Sequence, residues 1–416
     1  MRISFLMPTY NRAGHIAESI ESILCQIGPH DELLVIDDGS VDATQDVVKR
    51  YWDRLRYVRQ ENAGKSTALN HGLAVTSGQY VWICDDDDLL LPGAVELLHD
   101  AIEGSACDVV FGKYSRFSIR NGEQADLGTG YWPRLETGSI ARHTLEDMFA
   151  FHNASLVRRS AYERVGPFDP AMLRSQDYEM FVRLALTSSI AFVDELVFLQ
   201  RVHSGDRGPA PIVHGVAKSD EVWQRFDRQI FERLRDRVPL DFFVSMYDSP
   251  DPALAHRAGL LQRACILARH GLWADALEDC VRAASARTAQ PLHALEIATC
   301  RRMTAGKYGF AGLLNADIAA GMRRLARESG MGRAILGEIS RGLLWRLKSD
   351  DPDNRWLALR HLIHAPNAAA LATRMLGAGK GGAASQLRER EPDLRLTADA
   401  LRQWRKPVAL PAFNPA

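Results

Sequence analysis

The first 112 residues alternate short apolar segments with segments of helical periodicity, and this alternation constrains the fold more than any other feature. The apolar segments include ISFLM, ELLVI, YVWIC and CDVVFG. Strands separated by helices in this way are typical of βαβ units with a parallel sheet. Because ligands of such sheets bind beyond the carboxyl ends of the strands, we expect a binding site there.

Acidic residues follow two of these strands. Asp37 and Asp38 follow LLVI, and four consecutive aspartates, Asp85 to Asp88, follow YVWIC. A buried unpaired carboxylate is costly, so either these side chains point into water or positive groups lie among them. A D-x-D spacing at a strand end sends two side chains to one side, and Mg²⁺ and Mn²⁺ prefer carboxylate oxygens. The residues indicate a divalent-metal site, with a capped helix start as the alternative for Asp88.

Composition excludes several classes of protein. The net charge of −1 over 416 residues gives no overall field that favours nucleic acid or an anionic membrane. The six cysteines lack C-x-x-C spacing and indicate reduced thiols. No uncharged apolar stretch approaches the ~20 residues of a membrane span. We expect a cytoplasmic protein with no nucleic-acid partner and no transmembrane span, and peripheral contact at the inner face of the membrane stays open.

The second half of the sequence differs from the first in composition and in the periodicity of its apolar residues. Residues 206–220 are rich in Gly and Pro and are predicted to be a linker after a domain at 1–205. Residues 221–380 are rich in Ala, Leu and Arg with helical spacing, which predicts an all-α domain. Residues 381–416 are predicted to be a helical tail, partly disordered.

A weak repeat lies within the predicted helical domain. Gly271 and Ala276, in a helix-turn-helix segment, recur as Gly306 and Ala311. A period of about 34 residues is typical of tetratricopeptide repeats, and an irregular helical bundle is the alternative. Since stacked helix pairs leave one face available, we expect a homodimer or a partner complex through these helices.

Five separated motifs of the first half agree in order and spacing with one family. PTYN, IDDGS, the segment from ENAGK to DDDD, the segment GPFDPAMLRSQD and RVHSGD resemble the family 2 glycosyltransferases over about residues 2–205. The resemblance implies an enzyme of the hexosyltransferase class. Its implied fold is the Rossmann-like α/β nucleotide-diphospho-sugar transferase fold with a mostly parallel sheet, here followed by the all-α domain.

The resemblance also implies roles for residues of these motifs. Asp177, in Gln176-Asp177 where the family has Glu-Asp, takes the position of the general base. Asp87 and His203 take the positions of metal ligands, for Mn²⁺ or Mg²⁺. The positions that contact the nucleotide are Pro8, Thr9, Tyr10, Asn11, Asp38, Lys65, Asp85 and Asp86.

The implied reaction is an inverting, metal-dependent transfer of a sugar from a nucleotide-diphospho-sugar. UDP is the first expectation for the nucleotide, with dTDP and GDP behind it. The acceptor is a hydroxyl of a glycan, a lipid-linked glycan or a protein, as in polysaccharide biosynthesis for the cell envelope. One alternative is a nucleotidyltransferase that makes nucleotide sugars, although its Gly- and Lys-rich loop is absent near the N-terminus. The other is an inactive scaffold, which the intact Asp38, Asp87 and Asp177 argue against.

Overall fold

A computed structural model of the chain describes residues 2–120, 122–135, 138–202, 219–306, 313, 315–348, 352–363, 386–397, 400, 401 and 404. His203 and residues 206–218 of the predicted linker lie outside the described residues. The chain forms two compact units that do not follow its order. The first contains Met1–Arg134, Met148–Phe226 and Thr397–Lys406; the second contains Leu135–Asp147, Asp227–Leu396 and Pro407–Ala416.

Strands and helices alternate through the first half of the chain, and helices dominate the described part of the second. The strands are β1 (Ile3–Thr9), β2 (Glu32–Asp37), β3 (Arg56–Arg59), β4 (Tyr80–Ile83), β5 (Leu89–Leu90), β6 (Val109–Arg120), β7 (Glu123–Thr129), β8 (Ser155–Arg158), β9 (Ile190–Arg201), β10 (Tyr247–Asp248) and β11 (Arg388–Glu389). The helices are α1 (Ile16–Leu24), α2 (Thr44–Val48), α3 (Lys65–Val75), α4 (Ala94–Ser105), α5 (Ile140–Glu146), α6 (Arg159–Val165), α7 (Gln176–Thr187), α8 (Ser219–Arg237), α9 (Leu240–Val244), α10 (Pro252–Arg269), α11 (Trp273–Ala284), α12 (Ala294–Arg302), α13 (Ala316–Glu328), α14 (Gly330–Gly342) and α15 (Pro352–Ile363).

The described part of the first unit holds a mixed sheet in the order β3-β2-β1-β4-β8-β6-β9-β5, with β7 paired to β6. The strands β3, β2, β1 and β4 are parallel, as predicted. The predicted strand CDVVFG is β6, but the antiparallel strand β8 lies between it and β4. Local periodicity does not encode this insertion, because β8 has only four residues and pairs across long stretches of sequence. The predicted α/β fold is confirmed, with a parallel half and a mixed half.

The core of the first unit explains why these segments become strands and helices. All seven residues of β1 are buried, as expected of a central strand with both faces covered. The rings of Phe5 and Trp82, on neighbouring strands, stack with centroids 5.7 Å apart. The apolar stripe of α1, which includes Ile16 and Ile20, packs into the same core. The carboxyl ends of the parallel strands are thereby held at one edge of the sheet.

The second unit is stabilised by buried ion pairs among its helices. On α5, Glu146 accepts hydrogen bonds from Arg302 Nε and forms an ion pair with Arg142 at 3.3 Å. Burial raises the pKa of Glu146, but these arginines and Arg269 outweigh it and lower the pKa overall.

The second copy of the predicted repeat falls mostly on residues 307–312, outside the described residues. The tetratricopeptide repeat and the homodimer therefore stay predictions. Among the described helices, none is both long and apolar enough to cross a membrane.

A residue from the predicted tail lies in the core of the first unit. Trp404 is fully buried, and its Nε1 donates a hydrogen bond of 2.8 Å to Glu179 Oε1 on α7. Glu179 is itself buried and paired with Arg183 at 2.6 Å. The C-terminal segment therefore stabilises the helix that carries Asp177.

We expect Trp404→Ala to lower the free energy of unfolding by about 3–5 kcal/mol, because it leaves a large cavity and removes a hydrogen bond to a buried acid. Trp52→Ala is the matched control, since its side chain is 50% exposed and should cost far less. Urea unfolding followed by circular dichroism compares the two variants. Equal losses would show that Trp404 does not pack in the core.

Candidate functional site

The loops that follow β1 and β2 meet at the carboxyl edge of the sheet. The strand register pairs Thr9 with Asp37, and Asn11 follows in a left-handed conformation with a φ of 53°. The Asn11 amide N–H donates to Ser40 Oγ at 2.9 Å, and Asn11 Oδ1 accepts from the Val41 amide at 2.8 Å. Asparagine tolerates this backbone conformation better than most residues. The PTYN and DDGS motifs therefore form one bonded pair of loops.

The other residues of PTYN lie at the end of β1. Pro8 pairs with Ile36 of β2 at a position where β4 no longer pairs with β1, so its missing N–H breaks no ladder there. The Tyr10 side chain is 46% exposed beyond the strand end. An aromatic ring is therefore exposed beside the two loops.

Asp38 holds the loop that leads into α3. Its Oδ1 accepts hydrogen bonds from Gln60 Nε2 at 2.8 Å and the Ala63 amide at 2.9 Å, and its Oδ2 accepts from the Gly64 amide at 2.8 Å. A carboxylate has about four acceptor positions, so one remains for a ligand. The carboxylate therefore shapes the loop before Lys65 and keeps an acceptor position for the predicted nucleotide contact.

Positive groups lie among the four aspartates. Lys65 Nζ donates to Asp85 Oδ1 at 2.8 Å. The Arg12 guanidinium lies 3.4 Å from Asp86 Oδ1 and 3.6 Å from Asp87 Oδ2. These contacts resolve the problem that the sequence raises, because cations from α3 and from the loop after β1 offset the repelling carboxylates.

Asp88 has a supporting role and does not cap a helix. It is buried, and its carboxylate accepts hydrogen bonds from Asn153 Nδ2 at 2.5 Å and the Arg201 amide at 2.8 Å. The next helix, α4, begins later and has Gly93 at its N-cap. Asn153 Oδ1 also accepts from the Asp85 amide at 3.1 Å. Asp88 and Asn153 together fix the path of the acidic segment.

The acidic segment still carries an excess of negative charge. Burial raises the pKa of Asp85, although Lys65 beside it acts in the opposite direction. Burial and the neighbouring Asp87 raise the pKa of Asp86 to about 7, and they hold the pKa of Asp88 well above its usual range. Additional positive charge would therefore stabilise the ionised forms of these carboxyl groups.

Asp177 lies at the start of α7, as the sequence predicts. Ser175 precedes the helix in a left-handed conformation with a φ of 56°. The Asp177 carboxylate lies 3.4 Å from Lys65 Nζ through Oδ2 and 3.9 Å from His152 Nε2 through Oδ1. Burial raises the pKa of Asp177, but Lys65 and then His152 outweigh it, so the pKa lies below its ordinary value. Asp177 is therefore an ionised carboxylate joined to Asp85 through Lys65.

Helix α7 is held in place by buried contacts of Glu179 and Arg183, which follow Asp177 along the helix. The buried Arg183 guanidinium donates to both Glu179 carboxylate oxygens, at 2.8 and 2.6 Å. It also donates to the carbonyl oxygens of residues 165–167, the loop that follows α6. This arrangement fixes the start of α7 relative to the preceding loop.

The described residues do not form a ready-made metal cage. No group of three or more His, Cys, Asp or Glu within the described part of the chain is arranged to hold a metal ion. Of the two predicted ligands, Asp87 lies in the acidic segment and His203 lies outside the described residues. The predicted metal site therefore stays a prediction.

Sequence reasoning missed four residues that shape this site, namely Arg12, His152, Asn153 and Arg201. Charge balance could have indicated Arg12, because four aspartates at one edge need a cation from a neighbouring loop. Arg201 donates from Nε to the Asp87 carbonyl oxygen at 2.8 Å. Its place at the start of the RVHSGD motif was the one signal in the sequence that could have indicated it. His152 and Asn153 carry no signal in sequence, since the antiparallel strand β8 brings them to the edge.

Comparisons with known proteins agree with the resemblance. Residues 4–166 match the family described as Glycosyl transferase family 2. An uncharacterized glycosyltransferase of Rickettsia felis is 24% identical over 276 residues, covering 64% of this chain and 44% of that protein. Glycosyltransferase GlyA of Streptococcus pneumoniae is 28% identical over 216 residues, covering 49% of this chain and 31% of that protein. The chain thus spans less than half the length of these relatives.

Solved structures with a similar arrangement include S. aureus TarS 1-349 in complex with UDP. It is 16% identical to this chain, with a TM-score of 0.48, and the alignment covers 96% of this chain and 99% of that one. The family match supports the resemblance over residues 4–166, within the first half of the chain.

We expect Asp38→Asn to lower the free energy of unfolding by about 1–3 kcal/mol, because one amide oxygen cannot accept from three donors and a buried N–H is left unpaired. Asp53→Asn, at an exposed position of the same unit, is the matched control. Urea unfolding measures both variants. A loss at Asp38 no larger than at Asp53 would show that the carboxylate does not hold the loop.

Proposed function

Because residues 4–166 match the family described as Glycosyl transferase family 2, we propose that the protein transfers a sugar from a UDP-linked donor to an acceptor hydroxyl with inversion. The acceptor hydroxyl belongs to a glycan, a lipid-linked glycan or a protein. One observation carries the proposal: the Lys65 ammonium lies between Asp85, at the end of β4, and Asp177, at the start of α7. This places an ionised carboxylate beside the groups proposed to bind the donor.

The donor side of the proposal is supported by three positions along the edge of the sheet. Tyr10 offers an exposed ring beside the strand ends, where a base can stack. Asp38 keeps an acceptor position that suits the N–H of a uracil ring. Burial lowers the pKa of Lys65, but Asp177 and Asp85 outweigh it, so the side chain stays protonated and can approach a diphosphate.

The residues present fit a divalent cation that is held partly by substrate. Mg²⁺ and Mn²⁺ are commonly bound by one or two carboxylates together with phosphate oxygens, so a preformed cage is not required. Asp87 supplies such a carboxylate, and the acidic segment carries negative charge that a cation would offset. When bound, the cation acts as a Lewis acid toward the diphosphate.

Asp177 acts in this reaction as the general base. The acceptor oxygen attacks the anomeric carbon from the face opposite the diphosphate, and the bond between that carbon and the phosphate oxygen breaks. Asp177 takes the proton of the acceptor hydroxyl, and UDP leaves. One displacement inverts the anomeric centre, and Lys65 offsets charge on the departing phosphate.

A screen of UDP-sugars with and without Mn²⁺ tests the proposed reaction. Transfer or hydrolysis that releases UDP supports it. Release of pyrophosphate instead would identify a nucleotidyltransferase, and binding without any turnover across the screen would support an inactive scaffold.

We expect Asp177→Asn to reduce transfer by ~10²-fold or more, because the amide cannot take a proton. Donor affinity should be retained, since Lys65 keeps its closer contact with Asp85 at 2.8 Å. Calorimetry with UDP-sugar and initial transfer rates measure the two effects. Asp46→Asn is the control, because its side chain is 74% exposed. Near-normal turnover in Asp177→Asn would exclude this residue as the base.

We expect Asp87→Ala to abolish Mn²⁺-dependent UDP binding and Asp86→Ala to retain most of it. Asp86, whose pKa is raised to about 7 by burial and by Asp87, carries only part of a charge near neutral pH. Both carboxylates contact Arg12, so the pair separates metal binding from loss of that contact. UDP titrations with and without Mn²⁺ give the answer. Equal losses would mean that the assignment of roles along the four aspartates is wrong.

A further inference from the structure

Two buried polar atoms face each other beside the proposed base. Within the described part of the chain, neither Asp177 Oδ1 nor His152 Nε2 has a hydrogen-bond partner. The two atoms lie 3.9 Å apart, and the His152 residue is only 2% exposed. Buried polar groups are rarely left without partners, and catalytic hydrogen bonds are often long until substrate is bound. The pair therefore matches a donor and an acceptor that a small movement would join.

The other side of the imidazole ring is fixed. His152 Nδ1 lies 3.2 Å from the Tyr162 hydroxyl, and the ring stacks on Phe181 with centroids 4.6 Å apart. Burial raises the pKa of Tyr162, so the hydroxyl keeps its proton and can donate to Nδ1. Burial also lowers the pKa of His152 to about 4, although Asp177 acts in the opposite direction. A neutral ring that accepts at Nδ1 carries its proton on Nε2, toward Asp177.

We propose that His152 is a positioning residue for Asp177, with Nε2–H donating to Oδ1 so that Oδ2 takes the proton of the acceptor hydroxyl. This inference rests on the proposed function, in which Asp177 is the base. Oδ1 is buried and cannot meet an acceptor, whereas Oδ2 lies on the side of Lys65. Because a bonded Oδ1 cannot rotate away, the contact fixes the orientation of Oδ2.

Three groups from separate elements lower the pKa of Asp177. Lys65 of α3 lies 3.4 Å away and also contacts Asp85 after β4, while Arg174 in the loop before α7 lowers the pKa of Asp177. The third group is His152, which also lowers that pKa. Removing the donor at Nε2 should raise the pKa of Asp177, so the acidic limb of kcat should move to higher pH, because the base must be ionised to act.

Three substitutions of His152 separate these roles in the full-length protein. His152→Gln places an amide donor near the position of Nε2, whereas His152→Asn places its amide near Nδ1 and keeps only a partner for Tyr162. His152→Phe keeps the stacked ring and removes both nitrogens. The measurements are kcat, the KM for the UDP-sugar, and kcat as a function of pH.

We expect kcat to fall by roughly 10- to 100-fold in His152→Asn and His152→Phe, the range for losing a hydrogen bond to a charged group. The KM for donor should stay within about threefold of the original, and the acidic limb should move to higher pH. His152→Gln should recover most of kcat and return the acidic limb of the pH profile of kcat to its original position. If the Phe variant does not fold, the comparison of Gln with Asn decides.

Two results would overturn the positioning role. One is unchanged kcat and an unchanged acidic limb in His152→Phe while Asp177→Asn abolishes transfer. The other is equal loss in the Gln and Asn variants with an unshifted limb, which would show that the ring only fills space. Failure of the proposed function is distinct, because Asp177→Asn would then keep its transfer rate whatever the His152 variants do.

Discussion

The site depends on the contact of Lys65 with two carboxylates from distant parts of the chain. Its ammonium group lies 2.8 Å from Asp85 and 3.4 Å from Asp177, which belong to the end of β4 and the start of α7. Mutual attraction between opposite charges in a partly buried crevice outweighs the cost of removing them from water only when the geometry is good. The strand register and the loop held by Asp38 supply that geometry. Loss of either would separate the donor side of the site from the proposed base.

Besides the contact with Lys65, buried contacts of the residues that follow Asp177 on α7 determine its position. Arg183 ties Glu179 to the loop at residues 165–167, and Trp404 donates to the same Glu179. These bonds are buried, so water does not compete for them. A helix held near its start by two separate segments of chain has little freedom to tilt. That rigidity is what a base requires when its carboxylate must meet an acceptor within hydrogen-bond distance.

The sequence predicts the parts of this site that depend on local pattern. The strands that precede Asp37 and Asp85 are apolar runs ending in acids, and parallel strands bring such ends to one edge, so their meeting could be foreseen. The insertion of β8 could not be foreseen, because pairing between segments that are distant in sequence produces no periodic pattern of apolar residues. With β8 come His152 and Asn153, and neither has a neighbour in sequence that marks it. Roles for Asp87 and Asp177 came from motif resemblance, which the geometry accommodates and which the proposed variants test.

The four aspartates show why residue identity alone cannot assign roles within a run of equal residues. Asp85 contacts an ammonium group, Asp86 and Asp87 share a guanidinium, and Asp88 accepts from an amide side chain and a backbone N–H. Each environment stabilises the carboxylate differently, so a pKa near 7 at Asp86 coexists with an ion-paired Asp85 one position away. The pleat of the strand and the neighbouring loops, rather than residue identity, determine the contacts of each carboxylate oxygen. A shift of one residue along the run would exchange the ion-paired carboxylates with the buried supporting one, and the contacts of Lys65, Arg12 and Asn153 oppose such a shift together.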